Sequence, residues 1–195
     1  MKKEGKIKRK TKETKVEVFV NLDGRGHFKI DTGYPFLNHM LELFSWHGFF
    51  DLEILARGDT QVDYHHLVED VGISLGKAFG KALKKKQGIR RYGNSFVPMD
   101  GVLVQCVVDI SGRPLFVLHT SKELKGEIFE VFKGFFRGFS YHSGITLHIN
   151  FCYGQGYHHV LEAIFKAFAL SLDEACTPEK RRKAVPSVKG SIDEV

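Results

Sequence analysis

Two copies of the pattern His-His-x-x-Glu, at residues 65–69 and 158–162, are the part of the sequence best suited to bind a metal. In a helix, positions three and four apart are neighbours, so each glutamate lies on the same side as the two histidines before it. Adjacent histidines point about 100° apart around a helix axis and do not comfortably chelate one ion. We therefore expect the two histidines of each pair to bind two different metal ions. Each ion would take its remaining ligands from other elements of the chain or from other subunits. Imidazole combined with carboxylate suits Mn, Fe, Co, Ni or Zn better than Ca or Mg.

Other histidines enlarge this constellation. One His-His pair alone is more often a surface or capping feature, but two copies at equivalent positions favour a metal site. His39 and His47 lie about two helical turns apart, and His142 is the repeat partner of His47. Position 134, the counterpart of His39, is Gly, so if His39 binds a metal its repeat partner cannot. The histidines without such a pattern, predicted to be ordinary strand or loop residues, are His27, His119 and His148.

The chain matches itself at three places. Residues 21–26 resemble 109–114, FSWHGFFDLEI (Phe44–Ile54) resembles FSYHSGITLHI (Phe139–Ile149), and HHLVE resembles HHVLE. The matches occur in the same order at offsets of 88, 95 and 93. Three collinear matches indicate an internal duplication.

Both halves have the same order of patterns: an alternating apolar strand, a Gly-containing turn, a helix, a strand and a second helix. This order predicts an α+β fold, a two-layer α/β sandwich made of two tandem, duplicated half-domains at residues 1–93 and 94–195. Each half-domain is expected to be a mostly antiparallel sheet covered by two helices, forming one intimate unit. The strand pattern includes Val16, Val18 and Val20 in the first half, and Val102, Val104, Val107 and Val108 in the second.

Composition narrows the class of protein. The chain has 195 residues, of which 43% are hydrophobic, enough for one well-packed domain or two small fused ones. The sequence contains no run of about 18 apolar residues, so no membrane span is predicted. No secretory signal is recognised either. Three cysteines without C-x-x-C spacing favour a reducing cytoplasm over a disulfide framework.

The net charge of +6 is explained by residues 1–15, which hold eight Lys or Arg and two acids. A basic tail or edge strand is the favoured interpretation of this segment, and a nucleic-acid arm the minor one.

The motifs, taken together in order, resemble the imidazoleglycerol-phosphate dehydratase family from Lys10 to Gly190. They are KETKVEVFVNLDGRG, TGYPFLNHML, HGFFDLEILARGD, DYHHLVED, GIRRYG, DISGRP, GITLHI, YHHVLEAIFKAFALSL and PSVKG. The resemblance implies a ribosomal protein S5 domain 2-like fold of two similar halves and a homo-oligomer of trimers assembled into a hollow 24-mer. It also implies Mn²⁺, two ions per active site, at subunit contacts. Asn38 departs from the family pattern, which has Asp before the first-helix histidine.

The resemblance also implies roles for individual residues. The implied metal ligands are His39, His65, His66, Glu69, His158, His159 and Glu162. The implied substrate contacts are Glu13, His39, His47, Arg91, Arg113, Ser187 and Lys189, and the implied catalytic groups are Glu13, His47, Glu69 and Glu162. Among the substrate contacts, the cations Arg91, Arg113 and Lys189 are suited to bind a phosphate, and the hydroxyl of Ser187 can donate a hydrogen bond to it. Glu13 is the candidate proton shuttle between carbon and the leaving group.

The implied reaction removes water from D-erythro-imidazole-glycerol phosphate to give imidazole-acetol phosphate, in histidine biosynthesis. A metal on a ring nitrogen stabilises imidazolate, and a second metal can hold the other nitrogen or polarise the hydroxyl. Two alternatives remain at this point. A metal-dependent hydrolase would use the metal to activate water, and a metal-storage or structural shell would use the His-His-x-x-Glu sites only to join subunits.

Overall fold

The computed structural model describes residues 3–120 and 126–192, and over these ranges the chain forms eight strands and four helices. The first half consists of β1 (Glu4–Lys10), β2 (Thr14–Asn21), β3 (Phe28–Asp31), α1 (Pro35–His47), β4 (Asp51–Gly58) and α2 (His65–Leu83). The second half repeats this order with β5 (Tyr92–Met99), β6 (Val102–Asp109), β7 (Leu115–His119), α3 (Glu127–Ser143), β8 (Thr146–Tyr153) and α4 (Tyr157–Cys176).

Each half contains a four-stranded mixed sheet, with strand order β1-β2-β4-β3 in the first and β5-β6-β8-β7 in the second. β3 and β7 pair parallel to their neighbours, whereas the other pairs are antiparallel. Successive side chains of a strand point to opposite faces, so Val16, Val18 and Val20 are all buried on one face. In β6 the corresponding buried residues are Val104, Cys106 and Val108, while Val107 lies on the outer face.

The helices of both halves pack between the two sheets. α2 contacts β1 and β2, α4 contacts β5 and β6, and across the duplication α2 packs on α3 and α1 on α4. Glycines allow the closest of these approaches, because a Cβ atom at Gly76 would lie only 2.5 Å from the backbone oxygen of Phe139. The phenylalanine rings of both halves stack in one continuous core, as where Phe44 meets Phe168 at a centroid distance of 5.2 Å.

The predicted α+β fold of two duplicated half-domains is confirmed, and the His-His-x-x-Glu motifs lie in the first turns of α2 and α4 as expected. The predicted division between residues 93 and 94 falls inside β5, because Tyr92 and Gly93 already pair with β6. Residues 4–10 of the basic N-terminal segment form β1, an edge strand of the first sheet, while residues 1–2 lie outside the described ranges. Among the described residues, no helix has the length and apolar character needed to span a membrane.

Candidate active site

The starts of α2 and α4, which carry the two His-His-x-x-Glu motifs, both lie next to the start of α1. Tyr34, which precedes α1, stacks on Tyr64, which precedes α2, with ring centroids 3.8 Å apart. Phe36 in the first turn of α1 contacts the ring of His158 at the start of α4, at 5.4 Å. Pro35 favours a helix start here because its fixed φ angle suits the first helical position. The three helix starts therefore converge at one end of the molecule.

His39, His158 and Glu162 form a cluster with ligand atoms within 4.8 Å of one another. The Nε2 atom of His39 lies 3.1 Å from Oε1 of Glu162, and the Nε2 atom of His158 lies 2.9 Å from the same oxygen. Because α1 packs on α4, residues 123 positions apart in the chain meet here. Two imidazole nitrogens and one carboxylate oxygen are donors that fit a transition metal such as manganese or zinc.

A lysine holds the other carboxylate oxygen of this cluster. Lys166, one helical turn after Glu162, has its Nζ atom 2.6 Å from Oε2. Burial acts to raise the pKa of Glu162, but the hydrogen bonds from Lys166, His39 and His158 outweigh burial and lower this pKa to about 2. The carboxylate is therefore ionised at neutral pH, with Oε1 turned to the two histidines.

His47, at the end of α1, is half-buried near the same cluster. Burial lowers the pKa of His47, and the positive charge of Lys166 lowers it further, against the opposing effect of Glu162. His47 is therefore neutral at pH 7 and has the protonation state of an imidazole that can accept a proton. His142, the repeat partner of His47, instead interacts within its own helix: its Nδ1 atom lies 2.9 Å from the backbone oxygen of Gly138, four residues earlier.

The repeat of this cluster, at the start of α2, has no third ligand among residues 3–120 and 126–192. The Nε2 atom of His65 lies 3.5 Å from Oε2 of Glu69. Gly134 occupies the place that His39 has in the first cluster, since a Cβ atom there would lie 3.5 Å from the Cβ atom of Glu69. Arg137 of α3 instead approaches Glu69, with an N–O distance of 3.7 Å. The duplication therefore provides one complete three-ligand cluster among the described residues and one His–Glu pair.

The second histidine of each motif points elsewhere. The ring planes of His65 and His66 are 83° apart, and those of His158 and His159 are 90° apart. The Nδ1 atom of His66 lies 3.0 Å from Oδ2 of Asp59 and 3.9 Å from Oε2 of Glu13. His159 has its Nε2 atom 3.8 Å from Oδ2 of Asp100. His66 therefore faces Asp59 in the loop between β4 and α2, and His159 faces Asp100 in the turn between β5 and β6. Neither histidine belongs to the three-ligand cluster.

The residues expected to bind phosphate line one cavity of about 530 Å³. The N-terminal end of β5 and the residues after β6 meet the C-terminal segment there, which brings together Arg91, Arg113, Ser187 and Lys189. The guanidinium of Arg91 donates two hydrogen bonds to Asp109, at 2.7 Å and 3.1 Å, and a third to the backbone oxygen of Pro186 at 2.8 Å. These bonds fix the Arg91 fork against the wall of the cavity.

The cavity and the three-ligand cluster lie at opposite ends of α4. The backbone N–H of Arg91 donates to the backbone oxygen of Ala175, near the end of the helix. Ala175 is 13 residues after Glu162, which corresponds to about 20 Å along a helix axis. β5 gives an independent measure, because it extends from Tyr92 at the cavity to Met99, whose sulfur lies 3.3 Å from Nζ of Lys166. Seven steps of a strand span about 23 Å.

Sequence reasoning missed several groups that contact the expected ligands. The spacing of Lys166, four residues after Glu162, is a signal that could have identified it. Asp59, Arg137 and Asp109 have no such signal, because strand pairing and helix packing bring them to their partners. Asn38 does not orient His39; its Oδ1 atom accepts hydrogen bonds from the backbone N–H and the hydroxyl of Thr32, at 2.9 Å and 2.6 Å.

The fold and the site define a duplicated α+β protein with a histidine–carboxylate cluster and a separate cationic cavity. A family model for imidazoleglycerol-phosphate dehydratase matches residues 32–172. The chain is 50% identical over 189 residues to the imidazoleglycerol-phosphate dehydratase of Pelobacter propionicus, covering 95% of this chain and 97% of that protein. It is 47% identical over 193 residues to the dehydratase of Clostridium kluyveri, covering 96% and 98%.

Solved structures give the same result. The crystal structure of imidazoleglycerol-phosphate dehydratase from Staphylococcus aureus is similar with a TM-score of 0.78 and 37% identity, covering 90% of this chain and 99% of that one. The enzyme from Pyrococcus furiosus is similar with a TM-score of 0.78 and 33% identity, covering 95% and 99%. The chain belongs to the imidazoleglycerol-phosphate dehydratase family. It is therefore an enzyme of histidine biosynthesis, a carbon–oxygen hydro-lyase.

Proposed function

We propose that the chain converts D-erythro-imidazole-glycerol phosphate to imidazole-acetol phosphate, with two Mn²⁺ ions per active site. The observation that carries this proposal is the cluster of His39, His158 and Glu162, whose donor atoms have the chemistry and spacing of a metal site. Its donor set suits several transition metals, so the choice of manganese rests on the family.

The ligands would divide between two kinds of position. His39, His158 and Glu162 would hold one metal together, and His65 with Glu69 would supply part of the other. His66 and His159 point away from both groups and are available to metals held by neighbouring copies. A bound divalent metal would stabilise the imidazolate form of the substrate ring and polarise the departing hydroxyl.

The protein groups would bind the substrate and move its protons. Arg91, Arg113, Ser187 and Lys189 would bind the phosphate, with Arg91 held in place by Asp109. Glu13 is exposed and lies near His66, so it is our candidate for the group that carries a proton from the reacting carbon to the leaving hydroxyl. His47, neutral beside Lys166, would contact the substrate near the cluster.

An active site shared between copies of the chain follows from the separation of cavity and cluster. A five-membered ring with a phosphorylated three-carbon chain is no longer than about three extended residues, roughly 10 Å. Within one chain the two sites are about 20 Å apart along α4. One substrate molecule cannot reach both, so the cavity of one copy would have to meet the cluster of another. This supports a homo-oligomer, and we propose the family's trimers assembled into a 24-mer as its form.

Two further expectations belong to the proposal. The substrate is the small phosphorylated imidazole, and we assign no role to nucleic acid or to a membrane surface. The three cysteines are free, two of them buried, which supports a reducing compartment such as the cytoplasm.

The direct test is an assay of metal-stripped protein with imidazole-glycerol phosphate, with and without Mn²⁺. We expect the ketone product, detected by its absorbance in alkali, only when the metal is present. His66→Ala should abolish the product, whereas Lys133→Met, which changes an exposed residue of α3, should not. Release of inorganic phosphate instead of ketone would indicate a hydrolase. Folded, assembled protein that binds the metal and forms neither product would indicate a metal-joined shell, and either result would refute the proposal.

A further inference from the structure

Asp59 lies in the loop between β4 and α2, directly after the last residue of the strand. Its Oδ2 atom is 3.0 Å from the Nδ1 atom of His66. Its Oδ1 atom is buried and has no hydrogen-bond partner among the described residues. Burying a carboxylate oxygen without a partner costs free energy, so the stability of the loop alone does not account for an acid at this position. The one side-chain hydrogen bond that Asp59 makes in the described structure is the one to His66.

This contact decides which nitrogen of His66 is available. An ionised carboxylate only accepts hydrogen bonds, so Nδ1 of the imidazole carries the proton that it donates to Asp59. In a neutral imidazole the other nitrogen, Nε2, then keeps its lone pair. Glu13 does not supply this hydrogen bond, because its nearest oxygen is 3.9 Å from Nδ1 and its side chain is 53% exposed.

The duplication supplies an internal comparison. His159 is the repeat partner of His66, but the loop before it is Gly154-Gln155-Gly156 and contains no acid. Within the described ranges His159 forms an ion-pair contact with Asp100, which approaches Nε2 rather than Nδ1 and at the longer distance of 3.8 Å. The first half therefore fixes the orientation of its second histidine in a way that the second half does not.

We propose that Asp59 is a positioning residue that holds His66 with Nδ1 protonated and Nε2 free to bind a metal. This inference rests on the proposed function, in which His66 is a metal ligand. Carboxylates behind metal-binding histidines fix the ring and raise its basicity, and their loss costs about 10- to 100-fold in metal affinity.

The test measures Mn²⁺ binding to metal-stripped, assembled protein by calorimetry, with free Mn²⁺ followed by its paramagnetic resonance signal. We expect Asp59→Ala to weaken one class of site about 10- to 100-fold and to leave the other class unchanged. Asp59→Asn keeps an oxygen that accepts a hydrogen bond and should recover most of the loss. Asp63→Ala is the matched control in the same loop, because Asp63 accepts from the backbone N–H of His65 at 2.7 Å and should leave Mn²⁺ affinity within about threefold of the unmodified protein.

A double-variant comparison tests whether Asp59 acts on metal affinity through His66. In a His66→Ala background, Asp59→Ala should cause no further loss of Mn²⁺ affinity, because the two changes remove the same interaction. If Asp59→Ala does not assemble, Asp59→Glu, which moves the carboxylate by one methylene, replaces it and should weaken the same class of site.

The outcomes separate this inference from the proposed function. An Asp59→Ala protein with unchanged affinity, an Asp59→Asn protein as weak as Asp59→Ala, or an equal loss in Asp63→Ala would each refute the role of Asp59. Unmodified protein that binds no Mn²⁺, or that binds it and forms no ketone, would instead refute the proposed function.

Discussion

Lys166→Met tests the ion pair that holds Glu162 in the three-ligand cluster. Both side chains are largely buried, with 16% and 9% of their surfaces exposed. Methionine keeps the length and the apolar stem of lysine but removes its charge. We expect the metal-free variant to be less stable than the unmodified protein, because a buried carboxylate that loses its cation is costly.

The pKa of Glu162 sets the size of the effect. The pKa is lowered from 4.5 to about 2, which corresponds to a net stabilisation of about 3 kcal/mol, after the opposing effect of burial, at about 1.4 kcal/mol per pH unit. Because the folded-state pKa is the lower one, this stabilisation is complete above pH 4.5 and is lost as the pH falls through about 2. Lys166 lowers this pKa more than any other group, and the smaller contributions of His39 and His158 remain in the variant. We therefore expect a loss of about 2 kcal/mol at pH 7.

Urea unfolding at fixed protein concentration measures this loss, first with a chelator and then with saturating Mn²⁺. The metal brings positive charge to Glu162, so we expect the loss to shrink to less than about 1 kcal/mol when it is bound. Lys133→Met is the control, because Lys133 has the same N–O distance of 2.6 Å to Glu130 on an exposed surface. Removing that pair should cost less than about 0.5 kcal/mol. Equal losses for the two variants, or a loss in Lys166→Met that Mn²⁺ does not reduce, would mean that Lys166 does not stabilise the protein through its ion pair with Glu162.

Two further predictions concern the fold and the cavity. Gly76→Ala should destabilise the protein by about 1–3 kcal/mol in urea unfolding, because the added Cβ atom would lie 2.5 Å from the Phe139 backbone oxygen and force α2 from α3. Gly134→Ala is its control; its nearest contact is 3.5 Å, so a stable or slightly stabilised protein is expected, and similar losses for both would contradict the packing argument. Lys189→Gln should raise the KM for the phosphorylated substrate about 10- to 150-fold through loss of a charge-assisted hydrogen bond, with Mn²⁺ binding unchanged. Lys180→Gln, an exposed lysine that does not line the cavity, should leave KM unchanged; an unchanged KM in Lys189→Gln would remove it from the substrate contacts.

The duplication and the order of elements could be predicted because they depend on patterns within short segments. Alternating valines predicted β2 and β6, and the spacing of apolar residues predicted the long helices that begin at the two His-His-x-x-Glu motifs. The short parallel strands β3 and β7 were not predicted, since their pairing depends on the chain returning beside β4 and β8.

The site was predictable by residue type but not by arrangement. Spacing alone could associate His65 with Glu69 and His158 with Glu162, four residues apart in a helix. It could not bring His39 to Glu162, which requires α1 to pack on α4, nor Asp59 to His66, which requires the loop after β4. The separation of cavity and cluster is also a tertiary property, because it depends on which end of β5 and α4 each site occupies.

Mixing two impaired variants tests whether the cluster of one copy and the cavity of another form each active site. Glu162→Gln disables the cluster, and Lys189→Gln weakens the cavity. Each is assayed alone at low substrate concentration with Mn²⁺, and then after both are unfolded together in equal amounts and refolded.

If sites form between copies, random assembly leaves about a quarter of them with an intact cluster and an intact cavity. We therefore expect the mixture to recover up to about a quarter of the unmodified activity, well above the average of the two variants. A mixture that assembles fully and shows only that average would refute the shared site and would mean that each active site lies within a single chain.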